Sequence, residues 1–369
     1  MVNGTDVFVI GGGPAGLAAA IAARRRGFQV VVADGNKPPI DKPCGEGLMP
    51  DSIAALQQLG VEITPDEGYP LQGIAFWENE KYATACFPGG PGVGLRRPVL
   101  HKKMLDRAAS LGVQFRWETP VTGIQSYGVN LAGGNFVRAS WIVGADGGQS
   151  RVRRWARLES SNKQSSRLAW RAHFVVAPWS EYVEIHWAEK AQAYVTPVSA
   201  NEVCVVMASR NENRDIRVAL NEFPELARRL SSQRLSRPAR GTITTMHQLN
   251  RVCRGNVALI GDASGSVDAI TGEGLSLSFH QAEALAEAME KNSLDWYQKA
   301  HRQFARRPTF MARLLLLLDG RSRLRQRTLS VFRNNPEVFA RLISIHVGET
   351  SPAHFAATGA LLGWGFLAA

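Results

Sequence analysis

The chain has 369 residues, 45% of them hydrophobic and 20% charged, which is enough for two domains around a large core. Its net charge is +11, but no nucleic-acid-binding motif accompanies that charge, and no nucleic-acid partner is expected. No run approaches the roughly 18 apolar residues of a membrane span, no leader-like segment precedes the first strand, and Cys44, Cys86, Cys204 and Cys253 form no CxxC pair, so the expectation is a cytoplasmic protein without a disulfide framework or a metal.

The chain opens on an apolar strand, DVFVI (6–10), that runs into GGGPAG. Gly11, Gly13 and Gly16 match G-x-G-x-x-G, and Pro14 and Ala15 lie within the same turn. LAAAIAARRRG follows as a helix of small residues, and QVVVAD then ends in Asp34. This is a complete β-α-β unit with an acid about 20 residues past the glycines, the pattern that binds a dinucleotide. Gly11 permits the tight turn, Gly13 lets a pyrophosphate approach the backbone, and Gly16 lets the helix pack on the strand. The helix N-terminus aims N–H groups at the phosphates, and Asp34 stands where a ribose hydroxyl would be accepted.

A loop with KPCGEGLMP (42–50) leads to a helix over 50–60. Short strands with Gly/Pro turns are expected over 71–94, a helix over 97–111, and alternating strands over 113–143. WIVGADGGQS is a buried strand entering a glycine turn. Residues 168–210 carry the strand-like stretches LAWRAHFVV, YVEIHW, AYVTPV and EVCVVMAS, and 214–235 is helical in pattern. VALIGDASGSVDAITGEGL restores the strand–turn–helix pattern, and 276–345 is mostly helical. The expected fold is α/β: a Rossmann-like domain (1–75, 95–160 and 240–300) interleaved with a mixed β-sheet substrate domain (76–94 and 161–239), and a helical C-terminal region (301–369).

Three pieces converge. They are the fingerprint with Asp34, GADGGQSRVRR with Asp146, and GDASGSVDAITGEGL with Asp262. Each places a carboxylate and glycines at the C-terminal end of a strand, where open α/β sheets bind ligands. Together they resemble the three signatures of FAD-dependent oxidoreductases of the aromatic-hydroxylase type. KPCGEGLMP and the third motif are similar to the geranylgeranyl-reductase-like and halogenase-like branch. Two departures stand out: Cys44-Gly45 is followed by Glu46 rather than glycine, and Gln192–Pro197 replaces the prenyl reductases' aromatic strand. The resemblance implies bound FAD and a cofactor-contact set of Gly11, Gly13, Pro14, Ala15, Gly16, Asp34, Cys44, Gly45, Arg97, Val121, Asp146, Asp262, Gly272, Gly274 and Leu275.

With one complete nucleotide fingerprint, NAD(P)H is expected only as a transient reductant. The leading expectation is a monooxygenase that uses NAD(P)H and O2 on a hydrophobic, phenolic or polyketide-like molecule. The alternatives are a flavin-dependent C=C reductase of isoprenoid substrates and a non-catalytic flavoprotein. The 168–210 strands are expected to roof the pocket, with Trp170, His173, His186, Tyr194 and Pro197 as candidates and Tyr194 and Thr196 on one face. No catalytic base emerges. Glu46 and Glu273 are expected to bond backbone or flavin groups.

Between His301 and Arg341 stand ten arginines against Asp319 and Glu337 alone. Such a run reads first as a solvated helix face. The alternative is peripheral contact with an anionic membrane or an acidic partner. The apolar tail ATGALLGWGFLAA is expected to dock on the protein's own surface.

Overall fold

The computed structural model describes residues 4–64, 66–159, 163–189, 191–209 and 215–348. The apolar tail lies outside the described residues.

The opening strand Gly4–Ile10 is the centre of an eight-stranded sheet. It pairs in parallel with Val30–Ala33 on one side and Phe136–Gly144 on the other. Gln114–Arg116 extends the sheet in parallel beyond Val30–Ala33, and Val257–Leu259 beyond Phe136–Gly144. All three motifs therefore leave the C-terminal ends of adjacent parallel strands. Helix Pro14–Arg25 has proline at its first turn and buries eight residues from Gly16 to Ala23. Its alanines let Gly274–Glu290 pack closely beside it in one shared core.

The second sheet has seven strands, in the order Leu235–His247, Lys163–Val175, Glu202–Ser209, Ala191–Ser199, Tyr182–Trp187, Gly73–Glu78 and Lys81–Cys86. All neighbours are antiparallel except Tyr182–Trp187 with Gly73–Glu78. Gly73–Glu78 and Leu235–His247 cross the expected cuts at 75/76 and 239/240, so those cuts fall inside strands of this sheet. Leu235–His247 was not anticipated. It is an edge strand, exposed over Arg237–Ile243, so it lacks the apolar alternation by which half-buried strands are recognised.

One face of this sheet is covered by the short helices Ile216–Leu220 and Pro224–Leu230. The other faces the nucleotide domain and the C-terminal helices Leu294–Asp319, Ser322–Asn334 and Pro336–His346. There Phe76 meets Trp187 and Phe339 at ring-centroid distances of 4.8 and 4.7 Å, and Phe332 stacks on Phe339 at 4.6 Å. Among the described residues, no helix is long and apolar enough to cross a membrane.

The arginine run is not uniformly surface. Arg325 is 3% exposed, and its Nε and Nη2 both donate to Glu78 Oε1, at 2.9 and 2.7 Å. This pair ties the C-terminal helices to the sheet. Removing one partner strands the other as a buried charge, so Arg325→Ala should lower unfolding stability by about 3–5 kcal/mol in denaturant titration. Arg323→Ala, at an exposed position, should change it by no more than about 0.5 kcal/mol.

Candidate functional site

The three glycine motifs meet at the ends of the parallel strands. Gly11 adopts φ +112°, and a side chain there would collide with the Ala145 carbonyl, just before Asp146. A side chain on Gly16 would collide with the Gly11 carbonyl. A Cβ on Gly261 would lie 2.7 Å from Ala15 Cβ, which joins the third motif to the first. These glycines are close-packing requirements. Gly13, Gly45, Gly272 and Gly274 are different: a Cβ at any of them would meet nothing within 4 Å.

Two helices begin at these open glycines, Pro14–Arg25 and Gly274–Glu290, and neither has a side-chain cap on its first N–H groups. Their positive ends suit a pyrophosphate and an electron-rich ring edge. Asp34 Oδ2 accepts from Gly12 N–H at 2.8 Å and Oδ1 from Asn36 N–H at 2.8 Å. The acid is thus fixed against the glycine turn, with lone pairs left for a ribose. His101, buried in helix Arg97–Ser110, lies 2.9 Å from the Gly12 carbonyl through Nε2. Burial lowers its pKa, so at neutral pH it braces the turn as an uncharged ring. Arg97 Nε is buried without a hydrogen-bond partner among the described residues.

Asp146 turns inward to structure. Its carboxylate accepts from Ser150 Oγ at 2.5 Å, Arg151 N–H at 2.6 Å and Val152 N–H at 3.2 Å, closing the turn into the next short helix. Arg153, which sequence reasoning did not single out, links the second motif to the third. It donates to the carbonyls of Gly148 at 2.6 Å and Ala263 at 3.2 Å. Asp262 has an exposed surface yet is hemmed in by protein. Desolvation raises its pKa against the opposing charges of Arg97, Lys42 and Arg153. Val121 is buried among Phe8, Ile10 and Val31 in the core beneath the sheet, and Leu275 is half-buried beside Gly274.

The loop carrying Cys44 is pinned to the second sheet. Glu46 is 2% exposed. Its Oε1 accepts from Arg97 N–H at 2.9 Å and Arg171 Nη1 at 3.3 Å, and its Oε2 lies 2.6 Å from His173 Nε2. Arg171 also grips Asp41 through two bonds of 2.7 and 2.9 Å. Cys44 is half-buried at the edge of the open space off Gly45, and its carbonyl lies 3.7 Å from Cys204 Sγ.

Side-chain alternation divides the pocket candidates. His173 and Tyr194 point toward the nucleotide domain and the C-terminal helices, with Thr196 on the face of Tyr194. Trp170, His186 and Pro197 do not. Trp170 is packed under the short helices of the far face. His186 bonds Glu184 at 2.9 Å and stacks on Trp77, and Pro197 alternates with Thr196 away from the cleft. Period-2 patterning separates two faces but does not say which is inward. Arg167, also missed, joins this polar end: it pairs with Asp268 of the third motif and donates to Gln192 Oε1 at 3.1 Å. Tyr194 Oη donates to the same Gln192 oxygen at 2.9 Å, and burial raises its pKa, keeping the phenol protonated.

Glu273 is 1% exposed, between Gly272 and Gly274. Desolvation pushes its carboxyl up to about 8, only partly offset by Arg307 Nη2 at 3.4 Å. His346 Nδ1 stands 3.5 Å away, lowered to about 4 by burial, so it adds no charge at neutral pH.

The residues at the cleft fit an FAD: open space off Gly13, Gly45, Gly272 and Gly274, two uncapped helix ends, an orphaned Arg97 Nε and a fixed Asp34. Comparison with known proteins agrees. A family model described as an FAD binding domain matches residues 4–307. The chain is 28% identical to a menaquinone reductase of Mycolicibacterium smegmatis over 346 residues, covering 85% of this chain and 84% of the relative. It is 25% identical to a digeranylgeranylglycerophospholipid reductase of Methanosarcina mazei, covering 77% and 74%. Among solved structures, a flavoprotein/dehydrogenase of Cytophaga hutchinsonii superposes with a TM-score of 0.83 at 19% identity, over 99% of this chain and 98% of that one. That likeness confirms the fold.

Two outcomes follow from this geometry. Gly13→Val projects into open space, so it should abolish flavin absorbance in the purified protein while leaving circular dichroism intact; Gly16→Val, which collides with backbone, should lose both. The raised Glu273 pKa means that the native state holds a proton which the unfolded chain releases near 4.5. This contribution is complete below pH 4.5 and is lost as pH rises to about 8. Glu273→Gln should therefore flatten the decline in melting temperature between about pH 4.5 and about pH 8.

Proposed function

Because the chain belongs to the FAD-binding-domain family and is an FAD-dependent oxidoreductase, we propose that it reduces a carbon–carbon double bond in a hydrophobic, isoprenoid-type substrate. The observation that carries this reading is that a menaquinone reductase and a digeranylgeranylglycerophospholipid reductase are each matched over about three quarters or more of their length. The cleft supports it. Ile270 of the third motif is buried in one apolar cluster with Met49, Leu71, Ile185, Trp187 and Met311, so the surroundings of that motif are hydrocarbon in character.

Bound FAD supplies the hydride, and NAD(P)H is the proposed source of its electrons. The chain's own residues supply position. Gly13 and the first helix would hold the pyrophosphate, Asp34 the ribose, and Gly272 to Leu275 with their helix end the flavin. Glu46 and Arg171 fix the Cys44 loop against the second sheet.

A second reading, oxygen insertion into a phenolic substrate, is favoured by the polar end of the same sheet face. Gln192 Nε2 is buried with no hydrogen-bond partner among the described residues, beside Tyr194 and Arg167. Such a donor would suit a ring oxygen.

The two readings differ in their need for oxygen. The protein, chemically reduced under nitrogen and given a prenylated quinone or a geranylgeranyl lipid, should yield product with two added hydrogens. Product from an alkylphenol that forms only on admitting labelled oxygen, and carries the label, would overturn the reductase reading.

A further inference from the structure

Helix Leu294–Asp319 has two opposed faces. Its inner face buries Met311, Ala312, Leu315 and Leu318 in the same apolar cluster as Ile270 of the third motif. Its outer face carries Arg302, Arg306, Phe310, Arg313 and Leu317, all exposed. At about 3.6 residues per turn these five fall within roughly an 80° arc, a single stripe along the helix. Phe310 is 43% and Leu317 42% exposed, two of the few large apolar side chains on the described surface. Arg321, Arg323 and Arg327 follow directly and are exposed as well. Among the described residues, none of Arg306, Arg313, Arg321, Arg323 or Arg327 has a carboxylate within 4 Å. By contrast, Arg325 and Arg307 are turned inward to Glu78 and Glu273.

Asp295 and Lys299 lie on the same line further back along the helix, but from Arg302 to Leu317 the stripe holds no acid, and Phe310 and Leu317 alternate with its arginines. A stripe of alternating bulky apolar and cationic residues matches the boundary of an anionic bilayer. There the apolar groups enter the acyl edge and the guanidinium groups meet phosphate. We propose that this stripe docks the protein on an anionic lipid surface. The docked helix keeps its inner face in the apolar cluster that also holds Ile270 of the third motif. This rests on the surface alone and does not depend on which reaction the cradle supports.

The test is co-sedimentation of the full-length, FAD-loaded protein with phosphatidylcholine vesicles, with and without phosphatidylglycerol as the anionic lipid. Binding is expected only to the anionic vesicles, and it should weaken steeply as salt shortens the Debye length from about 10 Å at 0.1 M to about 3 Å at 1 M. Arg306→Gln and Arg313→Gln should each weaken binding about fivefold, the equivalent of about 1 kcal/mol per arginine near the surface. Phe310→Ser with Leu317→Ser should weaken binding even at low salt, where charge attraction is strongest. Flavin content and melting temperature, measured on each variant, certify the fold, and Leu317→Ser alone carries the apolar arm should Phe310→Ser lower either. Equal binding to neutral vesicles, no binding at low salt, or unchanged binding by the four-substitution variant would overturn the proposal. So would a concentration-dependent dimer that the variant loses, since a second copy would then be the occupant.

Discussion

The cleft depends on one buried carboxylate. Glu46 sits in the left-handed region at φ +60°, a conformation that costs a non-glycine residue on the order of 1–3 kcal/mol. It is held there because each oxygen is used. Oε1 takes the first N–H of helix Arg97–Ser110 and an Arg171 nitrogen, Oε2 takes His173, and Arg96 Nε stands 3.8 Å off. Those partners come from strand Lys163–Val175 of the seven-stranded sheet and from the start of helix Arg97–Ser110, which packs in the core of the nucleotide domain. A buried anion with fewer partners would be ruinous, and one with this many is a clamp. The Cys44 loop is consequently a fixed wall, and the sheet's inner face is set in register against the glycine motifs.

The same cluster has the outward look of a metal centre, since ligand atoms of Glu46, His173 and Cys204 lie within 4.8 Å of one another. Its electrostatics are those of an ion-pair hub. Arg171 and Arg96 already supply the positive charge, and burial raises the Cys204 thiol pKa, which keeps sulfur protonated and a poor ligand. The departure from glycine after Cys44-Gly45 thus has a structural account: the side chain that glycine would lack is the bridge between the two halves of the molecule.

What was legible in the sequence was what is local. The turn at Gly11, the helix behind it and Asp34 lie within 24 residues, and the steric demands on Gly11 and Gly16 are met by neighbours in the same unit or at the adjoining strand end. Sheet strands with apolar alternation were likewise visible. Which face was inward was not, because alternation is symmetric: Trp170 and Tyr194 differ in direction, not in pattern. Leu235–His247 escaped because an exposed edge strand has no burial to mark it. Arg153, Arg167 and Arg325 escaped because their partners are 110, 101 and 247 residues away, and an arginine's partner cannot be read along the chain.

That last point reshapes the meaning of the net charge. In the interior, positive charge is matched locally: Arg171 by Asp41 and Glu46, Arg167 by Asp268, and Arg325 by Glu78. Burial demands such matching, because an unpaired ion in a low-dielectric core costs several kcal/mol. Each internal match consumes an acid and leaves the surplus unchanged, so the excess of +11 has to reside where water can solvate it. Its concentration on the outer side of the C-terminal helices is then a consequence of two pressures. The inner side of those helices is apolar because it packs in the core against the second sheet, and the acids Glu78, Asp41, Glu46 and Asp268 are used by buried arginines rather than on the outer side.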